Sequence, residues 1–549
     1  LQPSTLAKRA WLLLILVVIG SYFYGLGRLP LVGPDEPRYA QVAREMFLRG
    51  DLITPTLGGH TWFEKPALLY WMMIGSFRLF GVSEAAARLG SALSGLLTIL
   101  AVYWIGRRLE LKLGSGDRRF SFLSTLVIAS SCGLFVFSRA ASFDIVVTMT
   151  ITVALGFFLA AEIDQGRRRW FLAGFYVFVG VSLLAKGLIG IVIPYGVIGA
   201  FYVMRRRLPD RAALFSIIWG LPLALAVAAL WYGPVIARHG WPFIDQFFIQ
   251  HHFARYLSNK YQHHQPFYFY LPVMLILALP WTPFLIDSLI RARGWQWRSD
   301  DATNKARVFA LAWLLVPIVF FSFSGSKLPA YILPSLPAAA LLVGERLNVL
   351  ITDKLRSGKL VGLLTMRLTG VMLLLLAVAG IVFVIEAGEI SVQCGLLVVA
   401  PLILIGGFVV FRSLSAPMWA AVLVALVTPG VSVLALRCAV DQYAPRESVR
   451  ELIRLADAEG YSAAPVLMFS RIDRSSEFYA SGRVVYGSDG DPVRLEKGDD
   501  VIRQAWQSPA PFLIVIPLGS MSQLNNLQGV DTSMVGNNGR IAVVAVRPR

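Results

Sequence analysis

The sequence predicts a polytopic α-helical membrane protein carrying a small α/β domain toward its C-terminal end. Three observations carry that prediction. Hydrophobic residues fill 56% of the 549 positions and charged residues only 15%. The apolar residues gather in nearly uncharged runs, many long enough to cross a bilayer core, which takes about 20 residues. After Arg437 the composition turns to that of a water-soluble chain. A mean hydropathy of +0.63 leaves too little polar surface to cover such a chain in water. The formal charge of +18 does not make it a nucleic-acid binder, because the basic residues form short clusters between apolar runs, as the positive-inside rule expects of cytoplasmic loops. Cys132, Cys394 and Cys438 lie far apart and spell neither a metal knuckle nor a disulfide framework.

Thirteen spans are expected, near 10–28, 85–106, 119–137, 143–161, 170–185, 187–204, 213–236, 267–290, 306–323, 329–348, 368–386, 392–411 and 416–436. The first follows Lys8 and Arg9 and is read as an uncleaved helix, since no small-residue cleavage site comes after it. With the N-terminus inside, the strongly basic short loops share one side: those with Arg107 and Arg108, Arg167 to Arg169, Arg205 to Arg207, Arg291 to Arg307, and Arg346 to Arg367. The apolar run 66–81 carries Arg78 and would invert every later loop if it crossed, so it is read as an interfacial or re-entrant helix. This gives a transmembrane domain over 1–437, including the periplasmic loop 29–84, and a periplasmic α/β domain over 438–549. In the latter, RESVRELIRLADAEG, APVLMFS, RVVYG, DDVIRQAWQ, PFLIVIP and RIAVVAV alternate helical and strand patterns. No P-loop, GxGxxG or GxSxG occurs there, and no nucleotide cofactor is expected.

The non-cytoplasmic side collects the unusual chemistry. It receives Asp35, Glu36, Arg38, Tyr39, Glu64 and Lys65, the SRAASFD turn with Asp144, the AKG turn with Lys186, the four histidines of 251–264, and the SGSKLPAY turn with Lys327 and Tyr331. Ionisable groups at bilayer ends are costly unless paired or facing water, so their convergence on one face marks a site. The stretch GPDEPRYAQVAREM reads from Pro37 as an amphipathic surface helix, with Tyr39, Val42, Ala43, Met46 and Phe47 at helical spacing. Asp35 or Glu36 can be its N-cap. A cap requires only one carboxylate, however, and Asp35 with Asp144 can form an acid/base pair or hold a donor or metal. Glu64 and Lys65 are either an interfacial charge pair or, for the lysine, a phosphate contact. Lys186, Arg255 and Lys327 either snorkel or, with Arg38 and Lys65, form a phosphate-binding surface. His251, His252, His263 and His264 suit a divalent cation in ligand type but match no standard zinc spacing.

Taken in order, GPDEPRYAQVAREM, FEKPALLYW, LLAKG and FSGSKLPAYILPSLP resemble the bacterial aminoarabinose (4-amino-4-deoxy-L-arabinose) lipid A transferase family. These are integral-membrane glycosyltransferases of the GT-C type, a type that also includes protein O-mannosyltransferases and oligosaccharyltransferases. The resemblance runs over most of the chain. The acidic motif is generic to the type; SKLPAY combined with FEKP is more specific. It implies transfer of aminoarabinose from undecaprenyl phosphate to a lipid A phosphate at the periplasmic face of the bacterial inner membrane, giving polymyxin resistance. Its implied partners are that lipid-linked donor, lipid A and membrane lipids, with the protein acting as a monomer.

The resemblance also implies roles. Asp35 is the leading catalytic candidate and Asp144 a second acid near the donor. Arg38, Tyr39, Lys65, Lys186, Lys327 and Tyr331, joined by Arg255, are expected around the carrier phosphate. Glu64 with His252, or with His251, is expected to hold a divalent metal such as zinc. A sugar leaving from a polyprenyl phosphate is helped more by cations that neutralise the leaving group than by a general acid. An already ionised phosphate acceptor needs no strong base, so Asp35 is expected to position donor or acceptor, with inversion at the anomeric carbon. Two alternatives stand beside this reading: a polyprenyl-phosphate-dependent transferase of another sugar or onto protein hydroxyls, and a lipid-linked sugar transporter. The transporter predicts ionisable groups at mid-depth, whereas here they gather at one membrane face.

Overall fold

The computed structural model describes residues 15–254, 265–357, 363–412, 416–507, 510–525 and 527–549. Contacts divide the chain into two units, one of residues 1–24, 64–69 and 90–435, the other of residues 25–63, 70–89 and 436–549.

Among the described residues, nine helices are long and apolar enough to cross a membrane, from Glu84–Lys112 to Pro417–Cys438. Two bent pairs raise this to eleven if each is one span: Arg119–Ser130 with Cys132–Ser138, bent by 58°, and Phe267–Leu277 with Thr282–Gly294, bent by 118°. Ser131 takes extended backbone at the first break. At the second stands Pro280, which has no N–H to continue a helix. Two expected spans fall on shorter helices. The span near 187–204 coincides with Ile189–Arg205, 17 residues, and that near 10–28 overlaps a helix at 15–23 and lies partly outside the described residues. Leu68–Phe80 is a 13-residue apolar helix.

Within the first unit, small residues let helices approach closely, the usual device where lipid removes the hydrophobic drive to associate. A Cβ on Gly180 would stand 2.5 Å from the Ala224 carbonyl oxygen, and one on Gly344 2.7 Å from the Ser124 Cα. Arg139 serves the end of the first helix: its Nη1 donates to the Ser21 carbonyl at 2.6 Å and its Nη2 to that of Tyr24 at 2.6 Å. These carbonyls have no onward helical partner, so the cation and the orphan acceptors satisfy one another. Cys132 is a free thiol. Cys394 and Cys438 are disulfide-bonded, which their wide spacing in sequence did not signal.

The second unit is built on a five-stranded sheet. Its strands are β3 (Val466–Phe469), β4 (Arg494–Leu495), β5 (Phe512–Pro517), β6 (Val530–Asn537) and β7 (Ile541–Pro548), in spatial order β4-β3-β5-β7-β6. A small hairpin of β1 (Thr56–Leu57) and β2 (His60–Thr61) lies earlier in the chain. β3 pairs parallel with both β4 and β5, and β7 pairs antiparallel with β5 and β6. Both faces of the sheet are covered, so strands of continuous apolar residues are stable. Leu513 and Val515 join one buried cluster with Leu452 and Ile453 of helix Arg450–Ala456, while Phe512, Ile514 and Ile516 join the other with Val501 and Ala505 of helix Gly498–Gln507. The segment before Phe63 packs with this sheet. Arg44 donates to the Phe478 carbonyl at 3.1 Å, and the Tyr486 ring lies so close over Gly58 that any Cβ there would overlap it. Glu45 fixes the β1–β2 turn by accepting from Thr56 Oγ1 at 2.6 Å and from the Gly58 N–H at 2.8 Å.

Candidate functional site

The acidic motif belongs to helix Glu36–Arg49, whose two leading carboxylates do different things. Glu36 is buried and meets Arg88: Nε donates to Oε1 at 2.9 Å and Nη2 to Oε2 at 2.7 Å. The same guanidinium donates to the carbonyls of Leu26, Leu29 and Pro30 at 2.8, 2.7 and 2.8 Å. All five N–H donors of Arg88 are therefore directed at acceptors, the condition under which a buried ion pair is tolerable. Glu36 is a structural anchor.

Asp35 occupies the N-cap position but does not cap. Its backbone is already α-helical (φ −98°, ψ −49°) and its side chain accepts no capping bond from a backbone N–H of the first turn, whereas a capping residue takes β-region backbone. Its side chain keeps 48% of its exposure and pairs with Arg38 Nη2 at 2.8 Å. Arg38 also donates through Nε to the Pro34 carbonyl at 2.6 Å and stands 5.5 Å above the Trp62 ring centroid. Tyr39, one turn after Asp35, is buried, with its N–H bonded to the Asp35 carbonyl at 2.9 Å. Arg38 also acts on Glu477, a fully buried carboxyl that Arg474 holds at 2.7 Å. Burial pushes the Glu477 carboxyl up, with Arg474 and then Arg38 opposing.

In the first unit, Asp144 opens helix Phe143–Ile163, with Ser142 capping through a bond from the Asp144 N–H at 3.1 Å. Its carboxylate pairs with the ammonium of Lys186, the last residue of helix Arg168–Lys186. That ammonium lies 4.7 Å above the Tyr331 ring centroid, so carboxylate, cation and aromatic face form one cluster. Tyr331 sits in the 3-10 turn Pro329–Ser335, next to Leu328, whose carbonyl accepts from Tyr270 Oη at 3.2 Å. Lys327 is buried and donates to the Ser324 carbonyl at 2.8 Å. Glu64 and Lys65 pair at 2.8 Å, with only 9% and 12% of their side chains exposed.

The structure thus brings together Asp35 with Arg38 in one unit and Asp144 with Lys186 and Tyr331 in the other. Lys327 and the Glu64–Lys65 pair also belong to the first unit. His251 and His252 fall in the π-helical segment Asp245–Ala254, their side chains outside what is described, and Arg255, His263 and His264 lie outside the described residues. Among the described residues no three His, Cys, Asp or Glu side chains cluster as metal ligands. Glu64 is a suitable hard oxygen donor, but its pairing with Lys65 would have to yield to a cation. Arg88 and Glu477 escaped the sequence reading. Arg88 stands 52 positions from Glu36 near the start of a long apolar helix, and Glu477 lies in a segment with no recognisable motif.

Comparison with known proteins follows the same lines. The dolichyl-phosphate-mannose-protein mannosyltransferase family matches over residues 8–232. An undecaprenyl phosphate-alpha-4-amino-4-deoxy-L-arabinose arabinosyl transferase of Erwinia tasmaniensis is 34% identical over 339 residues, covering 59% of this chain and 58% of the relative. Its counterpart in Aeromonas salmonicida is 33% identical over 347 residues, covering 61% and 60%. The matched stretch therefore spans less than two thirds of these relatives' length. The crystal structure of ArnT from Cupriavidus metallidurans bound to undecaprenyl phosphate shares the fold over 98% of both chains, with a TM-score of 0.77 and 22% identity. The apo form gives 0.78 over the same coverage. The chain thus has the fold of this ArnT structure and, over about three fifths of its length, is similar to these arabinosyl transferases.

Proposed function

We propose that this chain transfers 4-amino-4-deoxy-L-arabinose from undecaprenyl phosphate to a phosphate of lipid A, at the periplasmic face of the bacterial inner membrane. The modified lipid A carries less negative charge, and cells gain resistance to polymyxin and other cationic peptides. The observation that carries the reading is Asp35: a carboxylate at a helix start that does no capping and stays half exposed, beside a Glu36 that takes the whole structural load. Asp35 with Arg38 positions the reacting groups. The cations of Lys65, Lys186, Arg255 and Lys327 balance charge on the carrier phosphate as the sugar departs, and Tyr39 and Tyr331 shape the surroundings. Asp144 holds the Lys186 ammonium in an ion pair over the Tyr331 ring. The acceptor phosphate attacks the anomeric carbon with inversion. Being ionised, it needs no proton removed.

Thirteen spans, periplasmic amphipathic helices and a monomeric protein with its C-terminal α/β domain in the periplasm complete this reading. Glu64 with His252 or His251 is the proposed ligand set for a divalent cation, whose contribution would be charge neutralisation at phosphate oxygens.

The test is mass spectrometry of lipid A from a Gram-negative strain that makes the donor but lacks its own transferase. Expression of this chain is expected to add one aminoarabinose, and expression of Asp35→Asn to add none. Unchanged lipid A with membrane-inserted protein would remove the reading. A second reading, transfer onto protein hydroxyls, has the mannosyltransferase family match behind it. A hydroxyl acceptor does require a base, so a carboxylate-like acidic limb in the pH–rate profile separates it from transfer to phosphate.

A further inference from the structure

The second unit holds a cavity of about 350 Å³ at the ends of the central strands of its sheet, within the ~300–1,000 Å³ range of small-ligand sites. Its place in the topology is specific. From β3 the chain moves to β4 on one side of the sheet, and from β5 it moves to β6 and β7 on the other. The crevice beyond the C-terminal ends of the parallel pair β3–β5 is therefore a switch point, where open α/β sheets bind ligands. The cavity is lined by 471–475, which follow β3, and by Val515 to Pro517, which end β5.

Its lining is cationic. Arg446, Arg471, Arg474 and Arg540 face it, against the carboxylates of Glu447 and Asp473. Glu447 is taken up by Arg540, and Arg474 is engaged by Glu477 at 2.7 Å. Asp473 accepts from Ser475 Oγ at 2.5 Å and the Ser476 N–H at 3.2 Å, while burial pushes its carboxyl up. Arg471 is exposed and makes no ion pair among the described residues. The lining also includes Gly33 and Pro34, the two residues before Asp35.

We propose that this crevice binds a terminal phosphate group, with Arg471 as its principal ligand. Guanidinium forks match phosphate oxygens two at a time, and Arg471 brings charge that no neighbouring carboxylate consumes. Such a group is presented by a phosphorylated glycolipid or by free phosphate. The assignment to the glycolipid rests on the transferase reading, in which Gly33 and Pro34 lead from the crevice into the reaction motif and the anion held here is the acceptor's second phosphate.

Binding to the full-length protein in detergent micelles tests this without turnover. The probes are lipid A, the same lipid A after phosphatase treatment, inorganic phosphate, and undecaprenyl phosphate as the control for folding. Arg471→Ala is expected to weaken lipid A binding by about tenfold, the scale of one charge-assisted contact, and Arg471→Glu by more. Undecaprenyl phosphate binding should be unchanged in both. Phosphatase treatment should remove the Arg471 dependence. If inorganic phosphate shows that dependence and lipid A does not, the site takes free phosphate and the glycolipid source is excluded. Equal affinities of the unmodified chain, Arg471→Ala and Arg471→Glu for every phosphorylated probe would overturn the proposal. Arg471-dependent binding in a protein that transfers no sugar would instead remove the transferase reading and keep the site.

Discussion

Adjacent carboxylates in one motif make a controlled comparison. Asp35→Asn removes a half-exposed charge that caps nothing, so its thermal midpoint in detergent should stay within the scatter of the unmodified protein while transfer is lost. Asp35→Ala should likewise leave the midpoint unchanged, whereas a capping role would cost that variant roughly 1 kcal/mol. Glu36→Gln should do the reverse of Asp35→Asn. It leaves the Arg88 guanidinium buried without its counter-charge, a change that costs about 3–5 kcal/mol, and it should show as a lower midpoint and less recoverable protein. If the two variants were equally stable, Glu36 would not be the anchor. The motif itself was legible from sequence, as was the excess of one carboxylate. Which carboxylate was spare was not, because the deciding partner, Arg88, lies 52 residues away and carries no local signal.

Among the helices, Asp210 shows how one residue can serve two elements. It caps helix Arg211–Ile244 through the Ala213 N–H at 2.8 Å and grips Arg168, at the start of helix Arg168–Lys186, with bonds of 2.5 and 2.7 Å. The Arg168 hydrogen bonds hold its carboxyl below the usual range. A lowered folded value means that the stabilisation is present above the unfolded value of about 3.9 and is lost as pH falls through the folded one. Asp210→Asn keeps a capping side chain but loses the charge on Arg168, so it should cost at most about 1 kcal/mol near neutral pH and progressively less in acid, read from thermal midpoints across pH. Elements with strong periodicity were legible: β3, β5 and β7 fall on the apolar runs that announced them. β6 was not read. Its sequence VDTSMVGN is an edge strand whose pairing shifts register between Met534 and Gly536, so its half-exposed positions lack a clean alternation. RVVYG, read from sequence as a strand-like run, makes only isolated bridges at Val484 and Tyr486.

At the scale of the whole molecule, the loop charges make a topological claim that labelling can check. With thirteen spans, an exposed Ser533→Cys on β6 should react with a membrane-impermeant maleimide in intact spheroplasts. A Gly116→Cys in the basic loop after helix Glu84–Lys112 should react only after lysis. Labelling of both, or of the loop alone, would break the assignment. The fold class was legible because composition dictates the solvent. The number of crossings is less so, since Ile189–Arg205 is only 17 residues long and two further segments are bent pairs, whose hydropathy alone cannot distinguish a broken span from one that enters and returns.

The stretch Leu26 to Val32 has no repeating structure, yet its polar backbone groups are largely committed. Arg88 takes the carbonyls of Leu26, Leu29 and Pro30, Tyr479 Oη accepts from the Leu31 N–H at 2.7 Å, and Glu36 accepts from the Val32 N–H at 3.3 Å. Lifting any part of it breaks several of these bonds together, so small local excursions are closed to it and its opening is tied to the cooperative loss of the surrounding unit. The segment that delivers Asp35 is a loop in shape and a piece of core in its thermodynamics.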